Sequence, residues 1–252
     1  MYRCPNESAC GGDAQIHETT SPLITRREAM ALLGSGAAWL AGPRSARAAA
    51  AAAALPACIA RPQQTEGPFF VESAQERSDI RLDPVTDANA PGVPLRLGFR
   101  VSRVSGASCN PLAGARVDVW HCDATGRYSD VGRGSQSPRG SLLRGYQRTD
   151  AAGSAQFVTI YPGWYGGRAV HVHFKIRTQA ASGRGQEFTS QLYFDDALND
   201  RVFALAPYST HGRPSMRNAD DFIFRDGGRA LLLDVVQEGE AYAAAFDIGL
   251  VL

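Results

Sequence analysis

Beyond residue 90, the apolar residues of this chain recur at every second position, in short runs. Leu95, Leu97, Phe99 and Val101 alternate with Arg96, Gly98, Arg100 and Ser102. Ala115, Val117 and Val119 alternate with Arg116, Asp118 and Trp120. A period of two belongs to a strand with one buried and one wet face. Further strands are predicted over 155–161, 170–176 and 188–194. A closing hairpin is predicted from 231–236 and 242–250, turning at Glu238-Gly239-Glu240. Residues 104–114 read as one turn region, with Gly106, Pro111 and Gly114, and Asp150-Ala151-Ala152-Gly153 as a second turn. The helical period is confined to one short segment over 195–205, whose acidic start suits the helix macrodipole. Residues 129–141 form a Gly, Arg and Ser-rich loop. Short strands between frequent turns predict an all-β fold, an antiparallel β-sandwich with long loops and little helix.

The N-terminus follows other rules. Thr25-Arg26-Arg27-Glu28-Ala29-Met30 sets a twin arginine before a mildly apolar stretch over 29–41. That stretch is too short to span a bilayer. Ala46-Arg47-Ala48 offers a small-x-small cleavage site. The expectation is a twin-arginine-type export leader with an N-terminal extension over 1–48, a linker or arm over 49–64, and one domain over 65–252. Such a leader sends the chain to the periplasm or outside the cell. Without it the chain keeps 21 basic and 21 acidic residues and no basic block, which argues against nucleic acid. No other apolar run is long enough for a membrane span. Of five cysteines, Cys4 and Cys10 leave with the leader, and Cys58, Cys109 and Cys122 remain. Three thiols leave one unpaired. No Cys-x-x-Cys occurs, which argues against a thiolate zinc site.

Val170-His171-Val172-His173-Phe174-Lys175-Ile176 carries the chemistry. Its apolar residues share one strand face, so His171, His173 and Lys175 share the other, expected to be the polar one. Histidines at i and i+2 aim two imidazoles at one point, and copper, zinc and iron all accept imidazole. Tyr128, Tyr161 and Tyr165 are the candidate further donors. A phenol has a pKa of about 10, so only a strongly Lewis-acidic ion ionises it at neutral pH. Two phenolates with two imidazoles suit ferric iron better than zinc. A copper or zinc His-x-His enzyme is the competing reading.

Several motifs then line up in order. They are Thr65-Glu66-Gly67-Pro68-Phe69-Phe70, the run from Gly114 to Ala124, and Gly126-Arg127-Tyr128-Ser129. Arg144-Gly145, Thr159-Ile160-Tyr161-Pro162-Gly163, Arg168, His171-Val172-His173-Phe174 and Gln191-Leu192-Tyr193-Phe194 follow. As an ordered set, covering about 65–194, they resemble the intradiol ring-cleavage dioxygenases, and most closely the compact, exported branch. The resemblance implies a transthyretin (prealbumin)-like sandwich and one non-haem Fe(3+) per chain. It places the ligands on Tyr128, Tyr165, His171 and His173, with Tyr161 as the competitor for the second phenolate. It makes Arg168 the active-site arginine and Gln191 the glutamine behind it, and Tyr165 the base that leaves the metal. The substrates it implies are a catechol and O2, with a cis,cis-muconate as product. His121 is expected to be structural.

Five residues separate Tyr165 from His171, fewer than in protocatechuate enzymes, which shortens a loop lining the pocket. The preferred ring substituent and the oligomeric state stay open. A non-catalytic transthyretin-like binding module is the remaining alternative, because Gly114-Ala115-Arg116-Val117 suits such sandwiches too. Cys109 and Cys122 are expected at opposite ends of a strand, roughly 26 Å apart at ~3.3 Å per residue. That exceeds the ~7 Å a disulfide tolerates. The Thr65 segment borders the active site in the resembled family. Any bridge is therefore expected to join Cys58 to Cys122 at the metal end, leaving Cys109 free, with three reduced thiols as the alternative.

Overall fold

The computed structural model describes residues 59–72, 75–83, 87–131, 141–178 and 185–252. The predicted leader and most of the linker lie outside these residues. Among the described residues, nine strands form two sheets. The first contains β1 (Pro94–Ser105), β2 (Ser108–Pro111), β5 (Ser154–Ile160), β8 (Val235–Glu238) and β9 (Ala241–Val251). The second runs in the order β4 (Arg144–Arg148), β3 (Arg116–Trp120), β6 (His171–Thr178), β7 (Gln186–Tyr193). Every pair is antiparallel except β1 with β9, which run parallel from Leu95↔Tyr242 to Val104↔Val251. The sandwich is therefore not wholly antiparallel as expected. The chain leaves β7, makes a long excursion, and returns through the β8–β9 hairpin on the free side of β1.

The period of two does its expected work in the core. Leu95, Leu97, Phe99 and Val101 from β1 meet Val172, Phe174 and Ile176 from β6, all at most 1 % exposed. Phe99 contacts Phe157, Phe174 and Phe246 at centroid distances of 6.0, 5.3 and 6.2 Å. These rings tie the sheets together, each burial contributing about 1.5–3 kcal/mol. The excursion after β7 carries helix α1 (Asp196–Val202), capped by the Asp195 carboxylate on Ala197 N and Leu198 N. A one-turn helix α2 (Phe222–Arg225) follows, capped by Asp221.

Some local expectations change. Residues 104–114 are not one turn: β1 continues to Ser105, turns at Gly106 (φ 57°) and pairs with β2. Residues 228–231 form a 3-10 turn, and β8 begins only at Val235. Strand β4 was not apparent from the sequence, because Arg144-Gly145-Tyr146-Gln147-Arg148 lacks apolar alternation.

The second face of β6 carries the polar residues, as expected, but it is not open to water. His171, His173 and Lys175 are 2, 1 and 5 % exposed, so this face is dry. An N-terminal arm over 59–72 covers it. The Ser190 hydroxyl donates to Pro62 O (2.8 Å), Gln64 N to Thr189 O (3.0 Å) and Gln191 Nε2 to Thr65 O (2.9 Å). Lys175 pairs with Glu66 and lies 4.0 Å from the centre of the Phe70 ring. Arg177 bridges Glu72 on the arm to buried Asp118, both at 2.9 Å.

The cysteine expectation is overturned. Cys109 is disulfide-bonded, to a partner outside the described residues, while Cys122 is a buried free thiol. The path of the arm explains why. Ile59 O accepts from Gly249 N (2.7 Å), beside Val104, whose cross-strand partner is Cys109. The arm thus starts at the β1–β2 end and runs toward the His pair; it does not start beside Cys122.

Candidate metal centre

Strand register sets up the site. Arg144, Trp120, His173 and Gln191 stand opposite one another across β4, β3, β6 and β7, and His171 faces Tyr193 one step along. The Trp120 ring stacks on His173 at 5.0 Å and 5°, which fixes the imidazole plane. His171 Nδ1 lies 2.6 Å from the carbonyl of Ala169, so Nδ1 donates and Nε2 keeps the lone pair. The Nε2 atoms of His171 and His173 are 3.0 Å apart, and buried His173 Nδ1 has no partner. Burial, with Arg168 nearby, lowers the His171 pKa to about 3; burial, then His171, lowers that of His173 well below its usual value. Two neutral imidazoles thus converge on one point, ready to ligate.

The phenols arrive on two loops that interlock. Asp123 Oδ1 accepts from Thr125 N (2.8 Å) and Arg127 N (3.0 Å), shaping the turn before Tyr128. A Cβ on Gly126 would sit 2.1 Å from Trp164 O, and one on Gly163 2.1 Å from Asp123 O. Glycine is therefore required at both positions for the loops bearing Tyr128 and Tyr165 to meet. The two rings lie 5.7 Å apart, and Tyr165 OH is 3.1 Å from His171 Nε2. Phe69 of the arm stacks on Tyr128 at 4.3 Å. Arg144, 2 % exposed, locks this corner by donating to Phe69 O (2.7 Å) and Ser129 O (2.8 Å).

Burial pushes the Tyr128 phenol well above its ordinary pKa. It raises Tyr165 too, with Arg168 opposing. Ionising either one at neutral pH takes a strong Lewis acid beside it. Among the described residues, no three His, Cys, Asp or Glu side chains come together as a metal site. The donors available to complete the His pair are thus the two phenols. Two neutral imidazoles and two phenols fit a hard, trivalent ion such as ferric iron.

Tyr161 is elsewhere. It is fully buried, and its hydroxyl donates to Asn199 Oδ1 on α1 (2.6 Å). His121 also stays out of the cluster, with Nδ1 2.8 Å from Cys122 O and Nε2 2.7 Å from the Thr159 hydroxyl. Arg168 lies beside the cluster, its Nη2 donating to Gln191 Oε1 (2.5 Å). Sequence reasoning missed Asp221, which is fully buried and accepts from Arg168 Nε and Ala169 N, both at 2.9 Å. Its one signal was an aspartate ahead of a short apolar run, an N-cap pattern. Arg144 was noted only as part of a motif, without its clamping role.

A family model described as Dioxygenase matches residues 65–222. Catechol 1,2-dioxygenase 1 of Acinetobacter lwoffii is 31 % identical over 160 residues, 54 % of this chain and 49 % of that protein. The protocatechuate 3,4-dioxygenase beta chain of Burkholderia cepacia is 30 % identical over 190 residues, 71 % of this chain and 74 % of that one. Among solved structures, an intradiol ring-cleavage dioxygenase from Tetranychus urticae is similar with a TM-score of 0.63 at 27 % identity, covering 77 % of this chain and 94 % of that one. The chain spans about half the length of the catechol 1,2-dioxygenases it matches.

Proposed function

Because the chain belongs to the intradiol ring-cleavage dioxygenase family, we propose that it cleaves catechol-type rings between the two hydroxyl-bearing carbons. It would consume O2 and give cis,cis-muconate-type products. One observation carries this reading: the Nε2 atoms of His171 and His173 converge beside the Tyr128 and Tyr165 phenols, next to the Arg168–Gln191 pair. A copper or zinc His-x-His enzyme would not need the phenols, and a binding module would need none of these groups.

Tyr128, Tyr165, His171 and His173 would hold one ferric ion. When bound, it supplies Lewis acidity that ionises the phenols and draws electron density from a catecholate ring. Tyr165 is the less buried of the two phenols and acts as the base, taking a catechol proton on its oxygen. Arg168 offers positive charge to the electron-rich ring where negative charge develops. Gln191 holds that guanidinium through Oε1 and is itself tied to the arm through Nε2. Phe69, Phe70 and Trp120 keep water from the corner where the ring must react.

The purified chain is expected to contain about one iron per chain, by the four-ligand set above, and to absorb broadly in the visible. Oxygen uptake against a panel of substituted catechols, with product identification, is the direct test. A colourless, iron-free but fully active protein overturns the reading, and so does a yellow semialdehyde as main product.

We also propose that the chain is exported through its twin-arginine-type leader to the periplasm or beyond. The disulfide at Cys109 supports this, because such bonds persist in oxidising compartments. Cell fractionation with N-terminal sequencing of the mature protein tests it; a cytoplasmic, unprocessed chain refutes it.

A further inference from the structure

We propose that Asp221 is a positioning residue for the ring-cleavage step, acting through Arg168. The inference rests on the function proposed above. Asp221 is fully buried, 53 residues from Arg168 in sequence, and its carboxylate accepts from four donors. Oδ2 takes Arg168 Nε and Ala169 N, both at 2.9 Å. Oδ1 takes Ile223 N at 2.8 Å and Phe224 N at 3.4 Å, capping α2. One side chain therefore ties a distant helical turn to the segment that leads into His171.

The consequence lies in the direction Arg168 faces. A guanidinium is a rigid planar fork, so fixing its Nε edge fixes the whole plane. Asp221 grips that edge, while Nη2 is held by Gln191 Oε1 at 2.5 Å and lies 3.4 Å from Tyr193 OH. With only 11 % of its side chain exposed, Arg168 has little room to swing once gripped from both sides. Without Asp221 the Nε edge loses its carboxylate, and the cation can rotate about the Nη2 contacts, away from the ring. A charge displaced by about 1 Å at such a site costs on the order of a hundredfold in rate.

Serine separates the two duties of this carboxylate. In Asp221→Ser the hydroxyl still caps α2, because serine is a good N-cap. It is one bond shorter and cannot reach Arg168. Asp221→Asn is the second variant, for the case in which the serine variant fails to fold. It keeps the volume, but its NH2 either faces two N–H donors at the Arg168 side or gives up the cap.

The experiment uses the iron-loaded full chain and measures kcat, KM, iron content, the visible band and the melting temperature. The expected result for Asp221→Ser is a roughly 30- to 100-fold loss of kcat, by the same misplacement argument. KM should stay within about threefold, with iron content and visible band at wild-type level. In an Arg168→Ala background, adding Asp221→Ser should lower kcat no further, because a residue that acts through another has nothing left to position. A silent Asp221→Ser overturns the inference. So does a multiplicative loss in the double variant, or a loss of iron together with activity. If the wild type binds iron and cleaves catechols while Asp221→Ser behaves normally, only this inference fails. If the wild type does neither, the proposed function fails and takes the inference with it.

Discussion

Replacing Tyr161 by phenylalanine should damage the fold and spare the chemistry. The Tyr161 hydroxyl is fully buried and donates to Asn199 Oδ1 at 2.6 Å. Removing it leaves that amide oxygen, on a side chain itself 1 % exposed, without its donor. A buried acceptor so orphaned costs ~1–3 kcal/mol. At ~2–4 °C per kcal/mol for a domain of this size, about 2 kcal/mol lowers Tm by roughly 4–8 °C. The hydroxyl points to α1 and away from the His pair, so iron content and turnover should stay at wild-type level. Tyr165→Phe should show the reverse. Its ring is partly exposed, and its hydroxyl lies among groups of the site itself, 3.1 Å from His171 Nε2. Stability should change by less than ~1 kcal/mol, while turnover falls sharply and part of the iron and colour remains. Melting curves, metal analysis and oxygen uptake on the two variants test the pair. If Tyr161→Phe loses iron and activity while its Tm holds, the second phenol has been assigned to the wrong tyrosine.

Tyr128→Phe should weaken the visible band and lose iron, and a variant that keeps both refutes its place among the ligands. His121 gives a pH signature: burial lowers its pKa to about 4, so below the unfolded value of about 6.5 the unfolded chain takes up a proton the folded chain refuses. The His121 contribution to stability is complete above that value and is lost as pH drops toward 4, about 3 kcal/mol in all; His121→Gln should make the acid slope shallower by that share, His171 and His173 keeping theirs, and equal slopes in denaturant titrations would count against a buried neutral imidazole. Gly163→Ala forces a Cβ to within 2.1 Å of Asp123 O, so it should separate the two phenol-bearing loops and lower iron content; a fully iron-loaded variant contradicts the interlock. Peptide mapping without reduction should find Cys109 in a disulfide and Cys122 as a thiol that alkylates only after unfolding.

The sequence was legible wherever a signal repeated locally. The period of two located β1, β3 and β6 because each buries one face in the core between the sheets. Asp195 announced α1, and it caps that helix. Strand β4 stayed hidden for a physical reason. Opposite the core residues Val117 and Val119 it carries Gln147 and Gly145, and a Cβ on Gly145 would lie 2.7 Å from Ile80 Cγ2. The apolar group that fills this part of the core comes from a residue 65 positions earlier, so the strand itself has no apolar side chain to show there.

The same reason limits how far the site could be read. The groups that do chemistry cluster in sequence: Tyr165, Arg168, His171 and His173 fall within nine residues. The groups that make their corner dry and rigid do not. Alternation marked the histidine face of β6 as polar, and for a sheet face polar ordinarily equals wet. That equation holds for a sheet face open to water and fails when another segment covers it. Here the cover is the arm, fastened by Gln191, Ser190, Arg144 and Lys175 from three strands. Each fastening is a side chain meeting a backbone carbonyl or a single charge, a contact that leaves no periodic trace in either segment. The cysteine assignment failed at the same point, because it needed the direction in which the arm crosses the sheet. Local pattern thus identifies the donors, while long-range packing decides whether they sit in water or in a desolvated pocket. For phenols that must ionise only beside a metal, the second condition matters as much as the first.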